Sequence, residues 1–285
     1  MNTSFQSYTL TPEQIGHRIL DIFSTQPDET PIPLMTKQLV GFIDLTTLEG
    51  TDTRQRIVQL CEKALRIRDK DPDRQTVAAV CVYSPFVALA KSMLSNSGVK
   101  VACAAGGFPS GQLPLSLKCA EIRYALDQGA DEIDTVINRG KLLESNENEV
   151  LDEIAAVRGI CQDRMLKVIL ETGELDSVQR IRRASELAIL AGADFIKTST
   201  GKIQPAATEP AVLIMLDTIK EYAAATGKRI GIKPAGGIQQ PEQALRYYRL
   251  VHQILGQEWL SPGLFRLGAS RLLDQLLTQL NAAPA

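Results

Sequence analysis

Eight short β-rich runs, separated by stretches of helical periodicity, occupy the chain from Val40 onward. They are "VGFIDL" (Val40 to Leu45), "VAAVCVY" (Val77 to Tyr83), "VKVACAA" (Val99 to Ala105), "DEIDTVIN" (Asp131 to Asn138), "LKVILET" (Leu166 to Thr172), "ADFIKTS" (Ala193 to Ser199), "RIGIKPA" (Arg229 to Ala235) and "LFRLGA" (Leu264 to Ala269). Between them, apolar residues recur at three- and four-residue spacing. Ile57, Cys61 and Ala64 form one stripe; Leu115, Cys119, Ile122 and Leu126 another; Val150, Ile154, Val157 and Cys161 a third. Strand then helix, eight times over roughly 240 residues, predicts a (β/α)₈ TIM barrel. An open doubly wound sheet is the alternative, but no G-x-G-x-x-G follows the first strand. Ahead of the barrel, "TPEQIGHRILDIF" predicts an additional N-terminal helix, and "STQPDETPIPLMTKQ" reads as a proline-containing linker. The expected organisation is an extension over residues 1–39 and a catalytic barrel over residues 40–285.

A cation inside an apolar strand is costly to desolvate, so Lys197 in "GADFIKTSTGK" (Gly192 to Lys202) demands a reason. Alternate strand residues of such a barrel point inward, and the C-terminal strand ends carry the active site. Period two places Phe195, Lys197 and Ser199 on one face, Gly231 with Lys233, Glu132 with Asp134, Lys167 with Glu171, and Phe42 with Asp44. Any one of these reads equally well as a solvated strand-end residue. Several together, of mixed sign, read as a paired functional cluster, with Lys167 facing Asp134 and Asp44. An ordinary lysine is neutral only to roughly a few parts in ten thousand at pH 7. A second cation beside it, in a site of low polarity, lowers its pKa and makes it an amine nucleophile. Lys197 next to Lys233 fits that arrangement: one forms an imine, the other holds the charge.

Three neighbouring loops then suggest a phosphate site. Thr200, Gly201 and Lys202 follow the sixth strand, Gly236 and Gly237 the seventh, and Gly268 and Ser270 the eighth. Barrels bind phosphate with backbone N–H groups in this region. A turn glycine is the commoner reading of any one of them; the three loops together support a phosphorylated substrate.

Composition narrows the partners. Lys plus Arg number 31 against 33 Asp plus Glu, which leaves no electrostatic footprint for nucleic acid or an anionic membrane. No apolar run approaches membrane-spanning length, and the N-terminus lacks a basic region followed by an apolar core. Five cysteines without a C-x-x-C pair read as reduced thiols, hence a cytoplasmic setting. Two histidines, His17 and His252, are too few for a His-rich metal centre.

"IDLTTL", "VAAVCVY", "GADEIDTVIN", "LKVILETGEL", "GADFIKTSTGK", "GIKPAGGI" and "LGAS" closely resemble the motifs of the deoxyribose-phosphate aldolase family, in order and spacing, from about Val40 to Leu280. The resemblance implies a class I, metal-independent aldolase with no cofactor. It would cleave 2-deoxy-D-ribose 5-phosphate to acetaldehyde and D-glyceraldehyde 3-phosphate in deoxynucleoside catabolism, with a homodimer as the expected assembly. It also implies that Lys197 is the Schiff-base lysine, Lys233 its pKa-lowering neighbour and Asp134 the proton-shuttling carboxylate. Lys167 would pair with that carboxylate and Asp44 would support the network. Gln239 and Arg271 stand where the family pattern often has arginine and serine, so Arg271 is expected to replace in part the missing cation near the phosphate. Cys81 groups with Ala79 and Tyr83 and reads first as core packing; if it faces the site, it is a candidate for alkylation by unsaturated aldehydes. Alternatives are another Schiff-base barrel aldolase, a transaldolase, or an inactive phosphosugar-binding barrel. Pyridoxal phosphate would also use a lysine and a phosphate site, and visible absorbance tests for it.

Overall fold

The computed structural model describes residues 5–24, 32–68 and 75–282. All eight predicted strands form, in the predicted order: β1 Ile43–Thr46, β2 Ala79–Tyr83, β3 Lys100–Ala104, β4 Glu132–Val136, β5 Met165–Ile169, β6 Phe195–Lys197, β7 Gly231–Lys233 and β8 Leu267–Ala269. Each is parallel to its neighbours, in the spatial order β7-β6-β5-β4-β3-β2-β1-β8. Backbone bonds from Ile232 N to Leu264 O (2.9 Å), Arg266 N to Ile232 O (3.0 Å) and Gly268 N to Pro234 O (2.9 Å) join the last two strands. The sheet is therefore a TIM barrel.

The helices are α1 Pro12–Ser24, α2 Ile32–Gly41, α3 Arg54–Leu65, α4 Val87–Met93, α5 Leu115–Asp127, α6 Arg139–Leu143, α7 Glu147–Cys161, α8 Val178–Leu190, α9 Glu209–Thr226, α10 Pro241–Leu255 and α11 Leu272–Ala282. Several start where a polar side chain takes up an orphan backbone N–H: Thr53, Asn138, Ser177 and Thr208 each accept from the residue three positions on. Among the described residues, no helix is long and apolar enough to cross a membrane.

Two expectations are corrected. Residues 32–38 of the predicted linker are helical, whereas 25–31 lie outside the described residues. Pro33 falls in the first turn of α2, where its missing N–H costs nothing, and Met35, Leu39 and Val40 are buried. Pro33 marks a helix start. On α5, Leu115 is 40% exposed, and the buried face is Lys118, Cys119, Ile122 and Ala125. The face is displaced because Lys118 Nζ turns inward to Glu153 Oε1 (2.5 Å) and to the carbonyls of Gly111 and Val136 (both 3.1 Å).

The main apolar core lies between the barrel wall and its helices. The barrel interior is divided differently. Ala79, Cys81, Ala102 and Ala104 on β2 and β3 form a small apolar cluster with Leu48. These short side chains leave room for the long charged ones from β5 to β8. Gly231 serves the same end: a Cβ there would lie 2.4 Å from the Phe195 ring, its partner in register on β6. Outside the barrel, α1 buries Ile15 and Ile19 and packs on α9 and α10. Asp217 on α9 accepts from Tyr8 Oη (2.6 Å) and from both terminal nitrogens of Arg18 (2.7 and 3.0 Å).

Candidate active site

Strand register brings the predicted cluster together. Lys197 and Lys233 are direct Cα partners on β6 and β7, so their side chains enter the interior side by side. Asp134 and Lys167 are partners on β4 and β5. Lys197 Nζ donates to Asp134 Oδ2 at 2.8 Å. Lys233 Nζ donates to the same oxygen at 2.7 Å and to Asp44 Oδ2. Lys167 Nζ donates to Asp134 Oδ1 (2.8 Å) and Glu132 Oε2 (2.5 Å) and lies 3.6 Å from Asp44 Oδ2. Arg266 completes the set, with Nη1 2.6 Å from Asp44 Oδ1 and Nη2 2.8 Å from Glu132 Oε1.

Three carboxylates thus face four cations, all buried. An uncompensated charge in such a place costs several kcal/mol per ion, so the proton shed most readily is the one that restores neutrality. Lys197 is the cation with the weakest hold: its one carboxylate oxygen is shared with Lys233, whereas Lys167, Lys233 and Arg266 each meet two or more carboxylates. Burial and the neighbouring Lys233 cation lower the Lys197 pKa below the ordinary lysine value, against the pull of Asp134. For Lys233, burial is outweighed by Asp134 and Asp44, and its pKa rises. Lys167 rises for the same reason. Asp134, despite burial, is held well below the usual carboxylate range by Lys167, Lys197 and Lys233.

Above Lys197 opens a cavity of about 340 Å³. The predicted phosphate residues Thr200, Gly201, Lys202, Gly236, Gly237, Gly268, Ser270 and Arg271 all line it, as does Gln239. Gly201, Gly236 and Gly237 have φ of 79°, 82° and 78°, a region that favours glycine. A Cβ on Gly236 would sit 2.9 Å from Gly201 Cα, so the loops after β6 and β7 approach as closely as backbones can. At the mouth, Lys202 Nζ pairs with Glu49 Oε2 at 3.0 Å. Asp52 fixes that side by accepting from Glu49 N (2.9 Å) and Thr47 Oγ1 (2.8 Å). Among the described residues, Arg271 makes no ion pair, and it is exposed at the cavity.

Glu132, Arg266, Glu171 and Glu49 are the parts that sequence reasoning left without a role. Period two along "LFRLGA" groups Arg266 with inward-facing Gly268, and that signal could have found it. Glu171 lies past the end of β5 with φ 57°, and its carboxylate turns to accept from Thr200 N (3.1 Å) and Thr200 Oγ1. Gly173 lets the same loop pass: a Cβ there would be 2.0 Å from Pro205 O. Cys81 does face the interior, among alanines, but it does not line the cavity, and burial pushes its thiol up to about 11. A thiol of that pKa carries little thiolate at neutral pH.

The profile of the DeoC/LacD family aldolases matches residues 39–254. A human deoxyribose-phosphate aldolase is 45% identical over 254 residues, covering 85% of this chain and 79% of the relative. A solved structure from Coccidioides immitis is 29% identical with a TM-score of 0.73, covering 95% of this chain and 98% of that one. The tetrameric deoxyribose phosphate aldolase of Aeropyrum pernix shares the fold at 22% identity and a TM-score of 0.66, covering 96% and 98%. With the profile spanning most of the barrel and curated relatives this similar, the chain belongs to the DeoC/LacD aldolase family.

Proposed function

We infer that this protein is a class I aldolase cleaving 2-deoxy-D-ribose 5-phosphate to acetaldehyde and D-glyceraldehyde 3-phosphate, with Lys197 as the imine-forming residue. The observation that carries this reading is a buried lysine whose single carboxylate contact is shared with a second lysine, placed under a cavity ringed by glycine loops.

Neutral Lys197 Nζ adds to the C1 aldehyde of the open-chain sugar, and the carbinolamine takes up a proton from solvent and loses water to leave a protonated imine. The proton on the C3 hydroxyl passes to Asp134, through water, as the C2–C3 bond breaks. The bonding pair moves into the imine and gives a two-carbon enamine, and D-glyceraldehyde 3-phosphate departs with its new carbonyl at the former C3. Protonation of the enamine carbon and hydrolysis then free acetaldehyde and return Lys197 as an amine. Asp134, held by the ammonium groups of Lys167 and Lys233, is a weak base that passes a proton on and does not keep it. Lys233 retains its charge throughout, which keeps Lys197 neutral between turnovers. Lys202, Arg271 and the glycine loops hold the phosphate and so fix C1 over Lys197. An incoming phosphate takes Lys202 from Glu49. Five buried free thiols support a reducing, cytoplasmic setting. The assembly is proposed as a homodimer on the family resemblance, to be checked by light scattering.

The test is direct assay of the purified protein with 2-deoxy-D-ribose 5-phosphate. Release of acetaldehyde and D-glyceraldehyde 3-phosphate in equal amounts is expected. A folded protein that leaves this substrate intact but cleaves a keto-acid or transfers a three-carbon ketol unit sinks the assignment.

A further inference from the structure

The family resemblance implies roles for Asp44, Asp134, Lys167, Lys197 and Lys233, and none for two other buried charges of the same network, Arg266 and Glu132. We infer that Arg266 and Glu132, at the floor of the barrel, are a positioning pair that sets the charge balance under which Lys197 is the group left without a proton. The inference rests on the reading of Lys197 as the imine-forming lysine.

Neither residue reaches the substrate. Arg266 and Glu132 line a second cavity, of about 490 Å³, together with Gly41, Gln75, Lys100 and Met165. That cavity shares no lining residue with the one above Lys197. The two residues reach the reacting lysine only through others. Arg266 binds Asp44, which binds Lys233, which shares Asp134 with Lys197. Glu132 binds Lys167, which binds the other oxygen of Asp134.

Their charges, and not their bulk, determine the count. Asp44, Glu132 and Asp134 are balanced by Lys167, Lys233 and Arg266, which makes Lys197 the surplus cation. Removing Arg266 leaves a surplus carboxylate, and the network then recovers neutrality by protonating Lys197. Removing the charge of Glu132 leaves a surplus cation even with Lys197 neutral, and drives its proton off more strongly. The two single changes therefore act in opposite senses, and the double change cancels. The groups facing Lys197 are Asp134 from β4, Lys233 from β7 and Cys81 from β2. Those facing Arg266 are Asp44 from β1 and Glu132 from β4, with Lys167 of β5 beside them. A merely structural brace would not reverse sign between its two halves.

The experiment compares wild type, Glu132→Gln, Arg266→Met and the double variant. The readout is the pH dependence of borohydride-trapped acetaldehyde on Lys197, located by peptide mass spectrometry. Arg266→Met should move the acid limb up by about one pH unit or more, and Glu132→Gln should move it down by a similar amount. The double variant should return to the wild-type limb. Limbs that stay put, or that move the same way in both singles, overturn the inference. If Arg266→Met does not fold alone, the downward shift of Glu132→Gln and its cancellation in the double variant decide in the same way. No adduct on wild-type Lys197 overturns the reading of Lys197 and the inference with it, whereas an adduct with unmoved limbs overturns the inference alone.

Discussion

At the scale of single residues, two lysines of the same kind are set apart by their neighbours. Lys233 meets two carboxylates, which raise its pKa, while Lys197 shares one oxygen, and burial with the neighbouring Lys233 cation lowers its own. At the proposed phosphate site, too, individual cations are distinguished by their neighbours. Lys202 is already engaged by Glu49, which leaves Arg271 as the cation at the cavity without an ion-pair partner among the described residues. One charged hydrogen bond contributes about 1.5–3 kcal/mol, or roughly ten- to a hundredfold in binding. Arg271→Ala is therefore expected to raise KM for 2-deoxy-D-ribose 5-phosphate about tenfold or more, while leaving turnover of unphosphorylated 2-deoxyribose unchanged. Steady-state kinetics with both sugars checks this, and an unchanged KM for the phosphorylated one contradicts it.

At the scale of elements, the barrel interior is a fitted set in which glycine and alanine positions matter as much as the charges. Gly231 gives up its side chain so that Phe195 can cross the interior beside Arg266, whose guanidinium lies 5.9 Å from the ring centroid. Gly231→Ala should cost about 1–3 kcal/mol by overpacking, visible as a lowered thermal midpoint; an unchanged midpoint would show that the ring has room to move. Much of this was legible in the sequence, because strand alternation is strict enough to say which residues share a face. It identified Lys197, Lys233, Asp134, Lys167 and Asp44, and the loop glycines followed from their place after β6, β7 and β8. What stayed hidden lay at strand ends and in connecting segments. Glu171 sits beyond its strand in a left-handed conformation, and α2 begins at a proline-bearing stretch that reads as linker. Arg266 precedes β8 proper, in a run with a single charge and no partner evident from the sequence alone.

At the scale of the whole molecule, closing eight strands into a barrel places seven buried charges from five strands and the approach to β8 within one connected network, and its stability depends on pH through them. Asp44 and Asp134 have folded pKa values below the unfolded aspartate value of about 3.9. Their contribution to stability is fully present above that value and is lost as pH falls below it. Lys197 has the opposite effect. Its lowered folded pKa means that the unfolded chain binds a proton the folded one does not, a cost that fades as pH rises toward about 10.4. The thermal midpoint should fall steeply below about pH 4, and less steeply in Asp44→Asn; equal slopes would remove these carboxylates from the account. The central claim remains that this charge balance leaves one lysine free to react. The most direct measurement is to incubate the protein with acetaldehyde, reduce with borohydride and locate the modified residue by peptide mass spectrometry. A two-carbon adduct on Lys197, absent from Lys197→Ala, is the predicted result. An adduct on Lys233 instead, or none on a folded protein, would contradict it.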